Sequence, residues 1–459
     1  MFKLLLIFSI LTTHISTKDA NIGVLVYDYQ TGDTIESYRA NAVIPPASVI
    51  KLITTATILE VLGSEYQIET PISYSGYIQN GVLHGNLYIE GRGDPTIGSR
   101  YVGDPDFLQK WVKEIQDAGI NSINGSVVAD MSYFDHEAIN PGWLWEDIGN
   151  YYAPGIFALS YLDNTLSIKL KSGENGTKTQ VVGTTPKIEG LEFENHVVAA
   201  EISYDGVYVR GIPYSNHRTL VGRIPANKDS YTIKGTIPNP GLVLADDFAN
   251  TLRAKGIKVA EKSSYVTEKQ DGESTRKVLF VHKSVSLKEI VRHTNYKSDN
   301  LYAEMLFRIA ASRYGVPCTN KNSIKYLNEF WRKKGVNLSS GRIIDGCGLA
   351  PQDAISAGMF VDLLKYMYRS KEKEAFLASL PCSGESGTLK SFLKDTELHG
   401  KVYAKSGTIG GTKNFAGYIF LPDGRTWVFA VMVNSASCKS RKIQSIIEEY
   451  LLDVYQRNA

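Results

Sequence analysis

The two ends of the chain carry the same local pattern, and the long segment between them carries a different one. Near the N-terminus, the apolar runs 22–27 and 34–38 flank a Thr-Gly-Asp turn, which predicts a β-hairpin. Near the C-terminus, the runs 415–421 and 426–433 flank a Pro-Asp-Gly turn in the same way. Because each hairpin needs a partner to cover its apolar face, we expect the two ends to build one domain together.

Helical patterns lie beside both hairpins. An apolar run over 48–62 ends at Gly63, and residues 441–454 carry an apolar stripe typical of a helix that covers a sheet. A helix lying on a membrane surface is the alternative for that last segment. Four more helices are predicted over 287–294, 300–311, 323–334 and 357–368.

The middle of the chain has another texture. Short alternating apolar runs separated by Gly, Asn and Pro predict mostly β-structure, with helices over 105–118 and 244–255. The predicted fold class is therefore α/β (α+β), with an antiparallel sheet flanked by helices and interrupted by a large β-rich insertion. We expect the main domain to comprise 19–70 plus 282–459, and the insertion to comprise 71–281 as two small subdomains.

Charge and the N-terminal segment limit where the protein acts. The 459 residues include 50 basic and 48 acidic side chains, so the net charge of +2 offers no basic surface for nucleic acid. Residues 1–18 join one early lysine to a short apolar run, which predicts a signal peptide; a buried N-terminal strand is the alternative. No later segment is apolar over the roughly 20 residues that a membrane span needs. We expect an exported protein of the periplasm or cell-wall space.

Cysteine and histidine spacing gives no sign of a metal or cofactor site. The sequence has no C-x-x-C pair and no H-E-x-x-H, and Gly91-Arg92-Gly93 lacks the rest of a dinucleotide-binding spacing. Export would permit one or two disulfides, but four small buried thiols fit equally well. The pairing stays open for the four cysteines Cys318, Cys347, Cys382 and Cys438.

Ser48 and Lys51 form the first candidate catalytic pair. Positions i and i+3 share a helix face, so the amine of Lys51 can reach the hydroxyl of Ser48 and act as its base. The same S-x-x-K spacing begins at Ser274, Ser370 and Ser391, but only Ser48 opens a strongly apolar helix. A simple helix-capping serine is the alternative at this position.

Two further groups have surroundings that suit a site. Ser298-Asp299-Asn300 starts a predicted helix and offers a hydroxyl and a carboxamide in one turn. Lys405-Ser406-Gly407-Thr408 precedes a strand-like run and offers a cation, two hydroxyls and a glycine that permits close approach. Ser122-Ile123-Asn124 and Lys171-Ser172-Gly173 match the same short patterns, but they lack such surroundings.

Together, the three groups resemble the S-x-x-K, S-x-N and K-[TS]-G motifs of penicillin-recognising serine enzymes. Residues 48 and 298 lie 250 positions apart. A β-rich insertion of this size is similar to that of the class C low-molecular-mass penicillin-binding proteins, the DacB-type D-alanyl-D-alanine carboxypeptidase/endopeptidases. The resemblance extends over essentially the whole mature chain and is closest in the run SDNLYAEM that begins at Ser298. It implies a penicillin-binding/β-lactamase-like main domain.

The resemblance also implies a role for each catalytic residue. Lys51 would deprotonate Ser48, and Ser48 would attack the carbonyl of the penultimate D-alanine. Backbone N–H groups of Ser48 and Thr408 would hold the oxyanion. Ser298, bridged between Lys51 and Lys405, would pass a proton to the leaving D-alanine.

Substrate contacts follow from the same resemblance. Asn300 would hold Lys51 and the substrate amide, while Lys405, Ser406 and Thr408 would grip the terminal carboxylate. Gly407 would belong to the same substrate-binding group. The implied substrates are peptidoglycan stem peptides, and β-lactams are implied to be covalent inhibitors. No cofactor or metal is implied, and the oligomeric state is left open.

Asp147 and the segment 345–351 bear on specificity. Asp147 matches a family acid that reaches the free amino end of the stem peptide, although a loop aspartate that only caps a turn is the alternative. The family pattern DGSGLS is here altered at Cys347 and Ala350, and some relatives carry a basic residue where this chain has Pro351. These departures put the diamino-acid preference in doubt.

Two other functions compete with a D,D-peptidase. A β-lactamase would share the motifs, but it needs a deacylating water and commonly a Glu in an E-x-x-L-N-type loop, which is missing between the first two motifs. A non-catalytic cell-wall-binding module would show no covalent labelling by penicillin. Carboxypeptidase and cross-link endopeptidase activities cannot be ranked from the sequence, because both cleave a D-alanyl bond.

Overall fold

The computed structural model describes residues 20–268 and 275–459. The predicted signal peptide over 1–18 lies outside the described residues.

Twenty-two strands are present in the described residues. In chain order they are β1 (Asn21–Asp28), β2 (Thr34–Tyr38), β3 (Val43–Ile44), β4 (Glu69–Tyr74), β5 (Tyr77–Gln79), β6 (Val82–His84), β7 (Leu87–Glu90), β8 (Ser122–Ile123), β9 (Val127–Asp130), β10 (Thr165–Ser172), β11 (Gln180–Thr185), β12 (Glu192–Ala200), β13 (Gly206–Arg210), β14 (His217–Pro225), β15 (Lys228–Thr236), β16 (Lys258–Val259), β17 (Ser264–Val266), β18 (Lys277–Lys283), β19 (Ile355–Ser356), β20 (Val402–Ile409), β21 (Thr412–Phe420) and β22 (Thr426–Asn434).

The same part of the chain contains nine α-helices. They are α1 (Lys51–Leu62), α2 (Phe107–Asp117), α3 (Pro240–Ala254), α4 (Leu287–Lys297), α5 (Asn300–Ile309), α6 (Asn320–Lys333), α7 (Ala357–Tyr368), α8 (Lys373–Ala378) and α9 (Ser440–Asn458). Short 3₁₀ turns cover Ala47–Ile50, Leu162–Asn164, Ala310–Tyr314 and Gly387–Leu389.

The chain divides into two compact units. The first comprises residues 1–66, 287–316 and 320–459, and the second comprises 67–286 with 317–319. These divisions fall in loops, whereas the sequence-based boundaries after residues 70 and 281 cut through strands β4 and β18. The assignment of the insertion to two small subdomains stays a prediction.

The first unit is built on a five-stranded antiparallel sheet with the order β2-β1-β22-β21-β20. Strands β1 and β22 pair over eight residues, from Asn21 opposite Asn434 to Asp28 opposite Trp427. Both predicted hairpins therefore belong to one sheet, as the pattern at the chain ends indicated. Strand β20 lies at the sheet edge, so one of its sides is open to other groups.

Helices cover both faces of this sheet. The core of one face includes Val24, Phe429 and Val431 together with Ile447 and Leu451 of α9. Alternate residues of a strand point to opposite faces, and α7 packs on the other face, where Tyr418 Oη donates to the main chain of that helix. The last helix thus covers the sheet as predicted, and no helix in the described residues has the length and hydropathy to cross a membrane.

Helix α1 lies in the interior of the first unit. Every residue from Lys51 to Leu59 is buried, and the helix packs against α4 and α5. A helix that is apolar on all sides requires burial, which explains the long apolar run seen in the sequence. Gly63 ends the helix with a φ of 88°, a conformation that glycine adopts without strain.

The second unit is rich in short sheets. It contains the sheets β17-β9-β7-β4-β18 and β16-β8-β6-β5, and the three-stranded sheets β11-β10-β15 and β12-β14-β13. The helix predicted over 244–255 begins four residues earlier, at Pro240. The side chain of Asn239 accepts from the Leu242 N–H and Pro240 occupies the first turn, two start signals that apolar periodicity does not detect.

The structure joins none of the four cysteines in a disulfide bond. The structure therefore favours the buried-thiol alternative for Cys318, Cys347 and Cys382, while Cys438 is partly exposed.

Asp28 ties the two ends of the sheet together. Its carboxylate is fully buried and accepts from the N–H groups of Gln30 and Thr31, from Trp427 Nε1 at 3.2 Å and from Arg425 at 3.2 Å. We expect Asp28→Ala to lower the free energy of unfolding by about 3 kcal/mol, because it leaves a buried indole N–H without an acceptor. Urea denaturation followed by tryptophan fluorescence measures this loss.

The matched control is Asp33→Ala in the same hairpin. Asp33 is exposed and its side chain carries no comparable set of bonds, so the change should stay within about 0.5 kcal/mol. Equal effects of the two substitutions would contradict the role given to Asp28.

Candidate active site

Ser48 lies on a 3₁₀ turn that leads directly into α1, and Lys51 begins that helix. The turn covers Ala47–Ile50. Ala47 has a φ of 46°, a strained value for a residue other than glycine, and such strain is commonly found at functional sites. Ser48 is partly exposed while Lys51 is fully buried, so the hydroxyl faces the surroundings and the amine lies behind it.

The amine of Lys51 has three neighbours at hydrogen-bonding distance. Nζ lies 3.0 Å from Ser48 Oγ, 2.7 Å from Asn300 Oδ1 and 2.6 Å from the carbonyl oxygen of Cys347. The oxygens of Asn300 and Cys347 can only accept hydrogen bonds, so each accepts one N–H of the Lys51 amine. A neutral amine would then direct its lone pair at the hydroxyl of Ser48, which is the arrangement a general base requires.

Burial lowers the pKa of Lys51, because the charged form loses its hydration. The thiol of Cys347 and the carboxylates of Asp345, Asp299 and Glu304 act in the opposite direction and raise the same pKa. Burial is the largest of these effects, so the net shift is downward and favours a neutral amine.

The carbonyl of Cys347 is held in place by a loop wrapped around Asp345. One oxygen of that carboxylate accepts from the N–H groups of Cys347 and Gly348, and the other accepts from Leu349 and Ala350. Four such bonds fix the loop, and with it the oxygen that Lys51 contacts.

Glu304 adds a second anchor to this loop. Its Oε1 accepts from the N–H of Gly346 at 2.7 Å, and Thr54 Oγ1 donates to the carbonyl of the same residue at 2.6 Å. Ligand atoms of Glu304, Asp345 and Cys347 lie within 4.8 Å of one another, a grouping that could hold a metal ion. The backbone bonds to both carboxylates supply a structural role instead.

Ser298 and Asn300 come from the turn between α4 and α5. Ser298 has a φ of 58°, and the side chain of Asp299 caps α5 by accepting from the Tyr302 N–H at 3.2 Å. His293 Nε2 lies 3.2 Å from the other oxygen of Asp299, so the turn is fixed from both sides. This geometry directs Asn300 at Lys51.

Lys405, Ser406, Gly407 and Thr408 lie within edge strand β20 itself, although the sequence pattern placed them before a strand. Three polar side chains and a glycine conceal the strand in the sequence, because period-2 apolar alternation is the usual signal. An edge strand leaves the backbone groups on one of its sides without a strand partner, and of these four residues Thr408 is exposed.

The open side of β20 can be identified residue by residue. The N–H of Ala404 donates to Pro381 O at 3.0 Å, away from β21, and the carbonyl of Val402 accepts from the Ser383 N–H on that same side. Because backbone groups alternate along an antiparallel strand without a register shift, the N–H of Thr408 also points away from β21. It is thus directed to the open edge.

Gly407 brings this edge against the turn that carries Ser48. A Cβ built at Gly407 would lie 2.6 Å from Pro46 O, 3.0 Å from Val49 N and 3.1 Å from Ser48 N. Only glycine permits so close an approach. The backbone N–H groups of Ser48 and Thr408 therefore belong to neighbouring stretches of chain.

Lys405 is fully buried and lies beside Ser298. Its Nζ donates to Ser298 Oγ at 2.9 Å and to the carbonyl of Ser406 at 2.7 Å. Burial and the charges of Lys51 and Lys413 all lower its pKa. Lys405 forms no ion pair with a described carboxylate, so this part of the site is suited to an anion.

The remaining candidates are placed as follows. Ser406 Oγ donates to Thr388 Oγ1 at 2.9 Å, which ties β20 to the 3₁₀ turn at 387–389. Asp147 belongs to the second unit, where it accepts from Tyr152 Oη at 2.9 Å and is half-buried. Burial raises the pKa of Asp147, and its bond to Tyr152 opposes that rise.

Three features of the site were missed by sequence reasoning. The Cys347 carbonyl is a main-chain atom and has no side-chain signal. The loop around Asp345 differs from a family pattern in sequence, but the sequence does not show that it is buried or that it positions the Cys347 carbonyl. Lys413, whose Nζ donates to Thr408 Oγ1 at 3.0 Å, could have been found by pairing residues across the Gly410-Gly411 turn.

The chain is similar to known proteins over nearly its whole length. A family model described as the D-Ala-D-Ala carboxypeptidase 3 (S13) family matches residues 9–453. A D-alanyl-D-alanine carboxypeptidase of Actinomadura sp. (strain R39) is 28% identical over 439 residues, covering 90% of this chain and 78% of its own. D-alanyl-D-alanine carboxypeptidase DacB of Haemophilus influenzae is 24% identical over 428 residues, covering 92% and 86%.

Solved structures show the same fold. Penicillin binding protein 4 (dacB) from Haemophilus influenzae superposes with a TM-score of 0.83 at 23% identity, covering 98% of both chains. A predatory endopeptidase from Bdellovibrio bacteriovorus, in complex with an immunity protein, gives a TM-score of 0.52 at 16% identity and covers 95% and 92%. The family match spans nearly the whole chain, so the chain belongs to the D-Ala-D-Ala carboxypeptidase 3 (S13) family and is a serine-type carboxypeptidase.

Proposed function

We propose that Ser48 is the nucleophile with which this carboxypeptidase cleaves the D-alanyl-D-alanine bond of peptidoglycan stem peptides. The observation that carries the proposal is the position of Lys51 Nζ, 3.0 Å from Ser48 Oγ, with its other bonds taken by two obligatory acceptors. This leaves the hydroxyl proton as the one that the amine can accept.

Acylation begins when Ser48 Oγ attacks the carbonyl carbon of the penultimate D-alanine and its proton passes to Lys51. The N–H groups of Ser48 and Thr408 stabilise the oxyanion, a contribution typically worth about 10²–10³ in kcat for one donor. The Thr408 N–H lies on the open side of β20, which supports this assignment.

The leaving D-alanine needs a proton when the C–N bond breaks. Ser298 is the hydroxyl that supplies it, and the proton taken by Lys51 replaces the one that Ser298 gives up, so that the amine ends neutral. Lys405 holds Ser298 Oγ at 2.9 Å, which supports this relay. Water then attacks the ester carbon and gives one proton to Lys51. The bond between the acyl carbon and Ser48 Oγ breaks, and Lys51 returns the proton to that oxygen, which restores the hydroxyl.

The substrate carboxylate binds at β20. Lys405 supplies a cation in a buried setting, and Ser406 and Thr408 supply hydroxyl groups. We infer further that the same site hydrolyses D-alanyl cross-links and that β-lactams acylate Ser48. We also propose that the protein acts in the periplasm or cell-wall space. Asp147 is proposed to contact the amino end of the stem peptide.

Digestion of purified sacculi tests the proposal. Wild type should release D-alanine and, where cross-links are cleaved, monomeric muropeptides, while Ser48→Ala should release neither; mass spectrometry identifies the products. Fluorescent penicillin should label wild type stably and leave Ser48→Ala unlabelled. Rapid turnover of the penicillin would indicate a β-lactamase instead, and absence of both products and label would indicate a binding module.

Asn300→Asp tests the role of Lys51 through pH dependence. A base must be neutral to act, so the acylation rate rises with pH through the pKa of Lys51. A carboxylate 2.7 Å from Nζ favours the ammonium and should shift this rise by about 1–3 pH units toward alkaline pH. The rate of labelling by fluorescent penicillin across pH measures the shift.

Asn337→Asp is the matched control for that measurement. Asn337 is exposed, and its Oδ1 accepts from the Ser339 N–H, a bond that aspartate retains. An unchanged profile in Asn300→Asp would rule out Lys51 as the base.

Gly407→Ala tests the contact between β20 and the nucleophile turn. The added Cβ would meet Pro46 O at 2.6 Å and displace one segment from the other. A displacement near 1 Å should reduce kcat/KM by about 100-fold. Gly410→Ala is the control, because no atom lies within 4 Å of a Cβ there, and its activity should match wild type. Equal kinetics in the two variants would contradict the proposed contact.

A further inference from the structure

Lys413 lies directly across a hairpin from Thr408. Strands β20 and β21 are joined through Gly410-Gly411, and the ladder places Lys413 opposite Thr408. Side chains of directly opposed residues lie on the same face, and here Nζ of Lys413 is 3.0 Å from Oγ1 of Thr408.

The direction of this hydrogen bond is fixed by chemistry. An ammonium group can donate but cannot accept, so Thr408 Oγ1 must be the acceptor. The hydroxyl hydrogen of Thr408 is then free to donate to a second group, and its exposure leaves that donor accessible. Lys413 thus determines which way the hydroxyl of Thr408 points.

Lys413 also adds charge that no described carboxylate neutralises by direct contact. It is half-buried, with its ammonium 5.3 Å from the ring centre of Phe415. Burial lowers the pKa of Lys413, and the charge of Glu448 opposes that shift. Oε1 of Glu448 accepts from Gln444 Nε2 and from the Leu393 N–H. The charge of Lys413 also lowers the pKa of Lys405.

An unpaired cation at a partly buried position is costly unless an anion joins it. On the same strand pair, Lys405 likewise has no described carboxylate in contact. The hydroxyl of Thr408 and the ammonium of Lys413 beside it therefore suit a bound anion. A carboxylate has two oxygens and can accept from several donors at once.

We propose that Lys413 is a specificity-determining residue that orients the Thr408 hydroxyl and supplies positive charge for the C-terminal carboxylate of the substrate. This inference rests on the proposed function for the identity of the anion. Lys413 would then distinguish substrates that end in a free carboxylate from those that end in an amide, because only a carboxylate is bound more tightly by a second cation.

The kinetic test uses two peptides that differ only at the C-terminus, one ending in D-alanyl-D-alanine and one in D-alanyl-D-alaninamide. Lys413→Met keeps the aliphatic stem but removes the charge and the donor. We expect KM for the carboxylate peptide to rise about tenfold with little change in kcat, since one charge-assisted hydrogen bond is lost. The preference in kcat/KM for carboxylate over amide should fall by the same factor.

Two matched variants separate this role from a structural one. Lys413→Arg keeps charge and donor, so the preference for carboxylate should return toward the wild-type value. Lys371→Met removes an exposed lysine from the same unit and should change neither peptide's kinetics. An equal loss on both peptides in Lys413→Met, or no loss on either, would overturn the inference.

Binding measured without turnover keeps the inference independent of the proposed reaction. Calorimetry on Ser48→Ala should show tighter binding of the carboxylate peptide than of the amide peptide, and Ser48→Ala combined with Lys413→Met should abolish that difference. If wild type cleaves neither peptide while this difference is seen, the proposed function fails and the role of Lys413 stands. If Ser48→Ala shows no preference for the carboxylate, the role of Lys413 fails.

Discussion

Pairing between the first and last strands organises the unit that carries the catalytic groups. Strand β1 joins β22 over eight residue pairs, so the N-terminal and C-terminal hairpins lie side by side in one sheet, with β2 at one edge and β20 at the other. The entropic cost of closing a loop grows only with the logarithm of its length. The pairing of β1 with β22 therefore tolerates an insertion as long as residues 67–286, because that segment forms a compact unit of its own. The edge position of β20 then gives the site an open strand.

Much of this arrangement is predictable because its signals are local. The hairpins over β1–β2 and β21–β22 follow from alternation and turn residues, and helix α7 was predicted at its observed bounds. The start of α3 was misplaced by four residues, since its capping residue and proline lie outside the apolar period. The sequence pattern places residues 405–408 before a strand and not inside β20, because these residues interrupt the apolar alternation that identifies a strand.

The site shows a similar division. Ser48 and Lys51 are recognisable because helical spacing alone brings them together, whereas the bond between Lys51 and Asn300 joins residues 249 positions apart and depends on the packing of α1 against α5. The position of the Cys347 carbonyl oxygen depends on a loop folded around Asp345. Because this oxygen belongs to the main chain, no pattern of residue types predicts it. Tertiary packing, and not composition, brings together the groups that surround the Lys51 amine.

The two buried lysines of the site illustrate how surroundings assign opposite tasks to one residue type. Acidic groups surround Lys51, while Lys405 has other lysines as its charged neighbours. An arriving carboxylate would raise the pKa of Lys405 and favour its charged form. Because the charges of Lys51 and Lys405 repel each other, a proton gained by Lys405 makes a neutral Lys51 more favourable. In the proposed mechanism, a carboxylate bound at Lys405 thereby increases the neutral fraction of Lys51, which is the form that can accept the proton of Ser48.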